Sequence, residues 1–166
     1  MENNYSKGQL SWLVVLRIFI GWHFLYEGLV KVLNPNWTAS TYLMDSKGMF
    51  AQMFINMAGN AHLMRYINFM NEWALVLIGI GLLLGCFARV SSIGGILLLL
   101  LYTFSHPAFI GAGYMMNFEG SYFLIDKNLI ELTALGVLFV FPTARIIGLD
   151  RFLVQVLPAG FSKFIL

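Results

Sequence analysis

The chain has 166 residues, 59% of them hydrophobic and only 11% charged, with a formal net charge of +2 at pH 7. A soluble domain carries about 25% charged residues, so this composition excludes an ordinary soluble enzyme and implies a protein embedded in a lipid bilayer. The small, dispersed charge excludes a nucleic-acid partner, and a single cysteine, Cys86, excludes an intrachain disulfide, a CxxC thiol–disulfide exchanger and a cysteine-ligated zinc or iron–sulfur centre.

Four runs are long and apolar enough to span, about 10–32, 67–87, 90–109 and 124–141. The predicted fold is all-α and integral to the membrane. It is one domain over 1–166, a four-transmembrane-helix bundle with an amphipathic outer-side helical segment between helices 1 and 2.

Residues 1–9 are a short polar lead. The first run, without a small-residue cleavage site after it, is expected to stay in the protein. It carries Arg17, His23, Glu27 and Lys31. An ionisable residue inside a membrane is expensive, and it marks either a function or a buried partner. At about 100° per residue, Arg17, Gly21, Phe24, Gly28 and Lys31 fall along one line, with His23 and Glu27 beside it. Val15, Ile18, Phe19, Trp22, Leu25, Tyr26 and Leu29 cover the other side. The helix is expected to turn its charges inward and its apolar back to lipid or neighbouring helices.

Asn34-Pro35 stops this helix. In 36–66, Met49, Phe50, Met53, Phe54 and Met57 recur at helical spacing, which suits either an anchor in the headgroup region or a lid over the bundle. Ala58-Gly59-Asn60 ends that stripe. The second span opens with Asn68, Asn71 and Glu72, then turns apolar, and Gly79, Gly81 and Gly85 read as sites of close helix packing. Arg89 lies in a short turn into the third span, where Ser91, Gly95, Tyr102 and His106 share a face. His106-Pro107 breaks that helix. The glycine-rich, aromatic stretch 108–122 suits a re-entrant or interfacial loop. Asp126 is the predicted N-cap of the fourth span, whose first turns carry Lys127, Asn128 and Glu131. The tail from Arg145 onward reads as an amphipathic piece at the inner surface.

Lys7, Arg89, Arg145, Arg151 and Lys163 gather on one side, while Lys31, Lys47, Arg65 and Lys127 are diluted over two longer loops. The positive-inside rule therefore predicts both termini in the cytoplasm. An up-and-down path then brings the polar helix ends together, with Glu27, Glu72 and Glu131 under ~10 Å below the outer edge. The expectation is an outward-facing pocket. Glu27, His23, Glu72, His106 and Glu131 are its candidate proton-exchanging groups, and Arg17, Lys31, Arg65, Tyr102, Lys127 and Asn71 its candidate substrate-binding groups. Arg17, nearer the midplane, is expected to reach outward to Glu27 or Glu131 and organise the carboxylates. The same residues also fit a purely structural ion network. A channel is disfavoured, because the inner halves offer no polar path. The chain has no haem, flavin, nucleotide or metal motif, so a redox cofactor would be a diffusible quinone or would sit on a partner.

The first-helix run Arg17-x3-Gly21-x2-Phe24-x3-Gly28-x2-Lys31 resembles the signature of the DoxX/DoxD family. Asn34-Pro35-Asn36-Trp37, Met57-Ala58-Gly59-Asn60, the run from Gly79 to Gly85 through Arg89, Tyr122-Phe123-Leu124-Ile125-Asp126 and Gly148-Leu149-Asp150 are similar to its DoxD-like branch. The resemblance implies a membrane subunit of a thiosulfate:quinone oxidoreductase in a prokaryotic cytoplasmic membrane. Such an enzyme oxidises thiosulfate to tetrathionate and passes the electrons to quinone. A second subunit, DoxA, belongs to the described enzyme, and a homo-oligomer is also compatible. In that pattern a histidine often stands where this chain has Asn128. The alternative is a non-enzymatic membrane scaffold or lipid-binding partner subunit held by a buried ion network.

Overall fold

A computed structural model describes residues 5–109, 113–115 and 123–156, and no strand occurs among them. In chain order the helices are α1 (Lys7–Val32), α2 (Ser40–Met44), α3 (Ala51–Ala58), α4 (Ala61–Leu84), α5 (Ala88–Ser105), α6 (Lys127–Val140) and α7 (Asp150–Val156), with a 3₁₀ turn at Thr143–Arg145. Tyr122, Lys163 and most of the stretches 108–122 and 157–166 that entered the sequence reading lie outside the described residues.

Among the described residues three helices, α1, α4 and α5, are long and apolar enough to cross a membrane. The run expected as a fourth full span forms the 14-residue α6. That is about 21 Å of helix, short of a hydrocarbon core of roughly 30 Å. Local chemistry explains the shortening. Leu124 sits at φ 68°, and its amide donates to Ala108 O (3.2 Å), so the chain enters as a turn. Helix begins only where the Asp126 side chain accepts from Leu129 N, and Pro142 follows its end. Two other helices start earlier than the sequence suggests. A reciprocal Ser6–Gln9 capping box opens α1 at Lys7, and Asn60, accepting from His62 N and Leu63 N, opens α4 at Ala61.

Glycine sets the distance between α1 and α4, which run antiparallel in close contact. A Cβ on Gly28 would lie 2.7 Å from Val76 N, and one on Gly21 would lie 2.9 Å from Leu83 N. A Cβ on Gly79 would run into the Leu25 backbone. The backbones therefore touch, as small residues permit between helices in lipid. Around this seam Ile20 and Phe24 of α1, Leu75, Ile78 and Leu82 of α4, Leu99 of α5, and Leu135 and Leu138 of α6 form one buried core. The opposite face of α1 keeps Trp12, Ile18, Phe19, Trp22, Tyr26 and Leu29 exposed. Large apolar side chains left outside a bundle are the surface that lipid covers. This is a multi-pass membrane protein in contact with the bilayer.

The two ends of the bundle differ. At one, the cap end, α2 and α3 fold over and bury Ala39, Leu43, Phe54 and Ala58 against Met64 of α4. The predicted stripe divides there: Phe54 is buried and Met57 half-buried, while Met49, Phe50 and Met53 stay exposed. At the other, the turn end, Gly85 (φ 62°) closes α4 in the left-handed region that favours glycine. The segment entering α7 returns to it, with Leu149 N donating to Leu84 O (3.1 Å) and Asp150 N to Gly85 O (2.8 Å).

Gly79→Val is expected to destabilise the protein by about 2 kcal/mol or more through steric separation of α1 from α4. Gly136→Ala, where a Cβ meets nothing within 4 Å, is expected to leave stability unchanged or slightly raised. Thermal unfolding of both variants in detergent tests the contrast.

Candidate functional site

The charged face of α1 meets α6 at the cap end. His23 Nδ1 and Glu131 Oε1 are 2.8 Å apart, with the histidine side chain 52% exposed and the glutamate 14%. One turn further along α1, Lys31 Nζ donates to Glu27 Oε2 at 2.5 Å and to Glu27 O at 3.1 Å. The same ammonium lies 5.8 Å from the Trp37 ring centroid. Lys127, at the start of α6, acts electrostatically on both His23 and Glu27. In each pair one partner is about half exposed and the other, Glu131 or Lys31, mostly buried, and part-exposed ion pairs contribute only about 0–1 kcal/mol to stability. They hold protons and charge at an accessible position without fastening the fold.

Deeper in the cap end, Tyr102 OH donates to Asn71 Oδ1 at 2.5 Å. Tyr42 OH donates to Tyr102 O at 3.4 Å. Glu27 also acts electrostatically on Tyr102. Glu72 and Arg65 are not drawn in: among the described residues neither makes a hydrogen bond or an ion pair. Glu72, half-buried, is turned about 100° around α4 from Asn71. Arg65 is exposed beside Tyr66 on the first turns of α4. Asn68 instead pins the cap, accepting from Ala39 N (3.0 Å) and donating to Thr38 Oγ1 (3.2 Å).

His106 belongs to a separate set under the cap and does not face His23. It is 5% exposed, stacked on Tyr42 with centroids 3.8 Å apart and tilted against Tyr114 at 4.7 Å. Its Nδ1 lies 3.0 Å from Ser105 Oγ. Burial pushes the imidazole down to about 4, with Asp45 opposing and Lys47 adding to the shift. Asp45, itself buried, accepts from Met115 N at 2.6 Å and lies 3.9 Å from Lys47 Nζ. Sequence reasoning passed over Tyr42 and Asp45, and read Tyr114 only as part of the aromatic stretch 108–122. The polar turn Asp45-Ser46-Lys47-Gly48 between two apolar stretches was the only signal for them.

Arg17 corrects the expectation of an outward reach to Glu27 or Glu131. Only 4% exposed, it points to the turn end, where Nη1 donates to Thr143 Oγ1 (3.2 Å) and Nη2 to Ile147 O (2.7 Å). Helical side chains lean toward the N-terminus of their helix, so Arg17 leans away from Glu27, which lies about 15 Å further along. The carboxylate that acts on it is Asp150, fully buried. Asp150 accepts from Phe87 N (2.6 Å) and Ala88 N (3.1 Å). It thereby caps α5, whose own N-cap residue, Phe87, has no side chain able to do so. Burial pushes the Asp150 carboxyl up, against the pull of those two amides, Arg17 and Arg145.

Compared with known proteins, residues 12–108, more than half of the chain, match the family described as DoxX. No curated protein and no solved structure matches.

Arg17→Gln and Asp150→Ala are expected to cost about 3 kcal/mol each, because each leaves buried partners unanswered. Lys31→Gln should cost under about 1 kcal/mol. Thermal unfolding followed by tryptophan fluorescence measures all three.

Proposed function

The chain belongs to the DoxX family, and from that premise we propose that it is a quinone-linked membrane oxidoreductase, or the membrane subunit of one, that works at its cap end. The His23–Glu131 pair carries this reading: a 2.8 Å contact across α1 and α6 that is open to its surroundings. On this reading α6 is a short fourth membrane helix, and α2 and α3 lie along the outer surface. Both termini are cytoplasmic, in a prokaryotic cytoplasmic membrane.

The residues fit a quinone headgroup. Nδ1 of His23 is committed to Glu131, which leaves Nε2 to carry or accept a proton. Exposed Phe19, Trp22 and Tyr26 flank it on α1, giving flat apolar surface at a lipid-facing position. When bound, a quinone supplies a two-electron, two-proton couple. Glu131 holds the imidazole in one orientation and stabilises its protonated form, so that His23 passes a proton from Nε2 and is recharged from the aqueous side. Two thiosulfate dianions joined through a new S–S bond give tetrathionate and two electrons, and no proton. Both protons of the reduced quinone must therefore come through the protein or from water, which is the task of His23 and Glu131. Lys31 and Lys127 attract the dianion, and Glu27 keeps Lys31 in place.

The scaffold reading draws on a different observation, the Arg17–Asp150 network at the turn end, and accounts for those residues. It asks the cap-end acids to hold the bundle together as well. The two readings part on Glu131→Gln. As an oxidoreductase, natively purified protein in liposomes reduces a soluble quinone analogue with thiosulfate. Glu131→Gln then lowers kcat by about 100-fold or more with an unchanged thermal midpoint, and Lys127→Gln raises KM for thiosulfate. Failure of the folded wild-type protein to bind the quinone analogue overturns this reading. A Glu131→Gln protein with a lowered thermal midpoint supports the scaffold.

A further inference from the structure

The His106 group is not used by the redox reading, and it has the build of a switch. His106 follows the last residue of α5, and the segment from α2 across to α3 hangs on the peptide next to it. Ser105 O accepts from Lys47 N (3.2 Å), Gly48 N (3.3 Å) and Ser46 Oγ (2.8 Å). Gly48 packs so tightly on Phe104 O that no other residue would fit there. Tyr42 and Tyr114 sit against the imidazole from α2 and from residues 113–115. Among the described residues, His106 Nε2 is buried with no hydrogen-bond partner.

A neutral imidazole tolerates that position at modest cost. An imidazolium there would carry an N–H without an acceptor, in a site closed to water. Among the described residues, the charged and titratable groups around it give no rescue. From the turn after α2, Asp45 is committed to Met115 N, and Lys47 adds a like charge. Tyr42, Tyr102 and Tyr114 offer phenols only, and Asp126 at the start of α6 acts on Tyr42. We propose that His106 is an acid-sensitive latch: neutral, it keeps residues 42–48 and 113–115 closed around its ring, and on taking a proton it releases them.

The sign follows from the burial. The closed imidazole stays neutral down to about 4, against an ordinary value of 6.5, so closure is fully favoured above 6.5 and is lost as the pH falls toward 4. Between pH 7 and pH 4.5 the closing equilibrium should weaken roughly 50-fold.

Hydrogen–deuterium exchange of the full-length protein in nanodiscs, corrected for intrinsic rates at each pH, tests this at the amides of 45–48. The expected result is a fall in protection of tens-fold over that range, confined to the cap. In His106→Phe, which keeps the ring stack and cannot titrate, protection should be flat. Flat wild-type protection overturns the latch, as does an equal fall in His106→Phe or a fall spread through α1, α4 and α5. If His106→Phe does not fold, NMR titration of labelled histidine decides instead. A His106 midpoint well below 6 sustains the proposal, and one near 6.5 overturns it.

Discussion

A guanidinium buried in the first helix constrains the rest of the bundle. Arg17 cannot reach water from its position and leans toward the N-terminal end of α1, so something there must answer it. The answer comes from 126 to 130 residues away in the chain, from Thr143 Oγ1 and Ile147 O. Asp150 adds charge from beyond them. To supply these groups the chain must leave α6 early, turn through 143–145 and return to the α4–α5 turn. There the Asp150 carboxylate also meets the two amides at the start of α5. One buried network thus joins α1, the α4–α5 turn and the C-terminal segment. Such a network is costly to disturb, because its charged members, Arg17 and Asp150, are buried.

This network separates structural charge from exchangeable charge. At the turn end Arg17 and Asp150 are buried and the chain is built around them. At the cap end His23, Glu27 and Lys31 are partly open, and their pairings are of the weak kind that neither fold nor unfold a protein. A bundle already fastened at one end can keep titratable groups accessible at the other. The glycine seam between α1 and α4 adds to this, since helices in van der Waals contact hold the first helix in place without help from its charges.

The cap adds a third kind of polar group, buried but uncharged. His106 sits between tyrosine rings and, among the described residues, has no hydrogen-bond partner for Nε2. The segment above it hangs largely on a single carbonyl, Ser105 O. This local fastening has little apolar area behind it, and its small satellite core of Ala39, Leu43, Phe54, Ala58 and Met64 is separate from the main one. Local opening of such a unit costs far less than unfolding the bundle.

Much of this protein was legible in the residues alone. Membrane residence follows from composition, the helices from long apolar runs, and the lipid side of α1 from Phe19, Trp22 and Tyr26 at helical spacing. The run from Arg17 to Lys31 carried the family. The meeting of His23, Glu27, Lys31, Lys127 and Glu131 at one end follows from an up-and-down path, because that path leaves few places for charge to gather. Tertiary structure decided what periodicity cannot express. A side chain's direction along its helix sent Arg17 to Thr143 and Ile147, within the field of Asp150, and not to Glu27. A rotation of one residue left Glu72 out and brought Asn71 in. A polar turn folding back over α5 placed Asp45 and Tyr42 around His106. Sequence records which residues share a face; which partner closes over that face depends on contacts between segments far apart in the chain, and only folding brings those together.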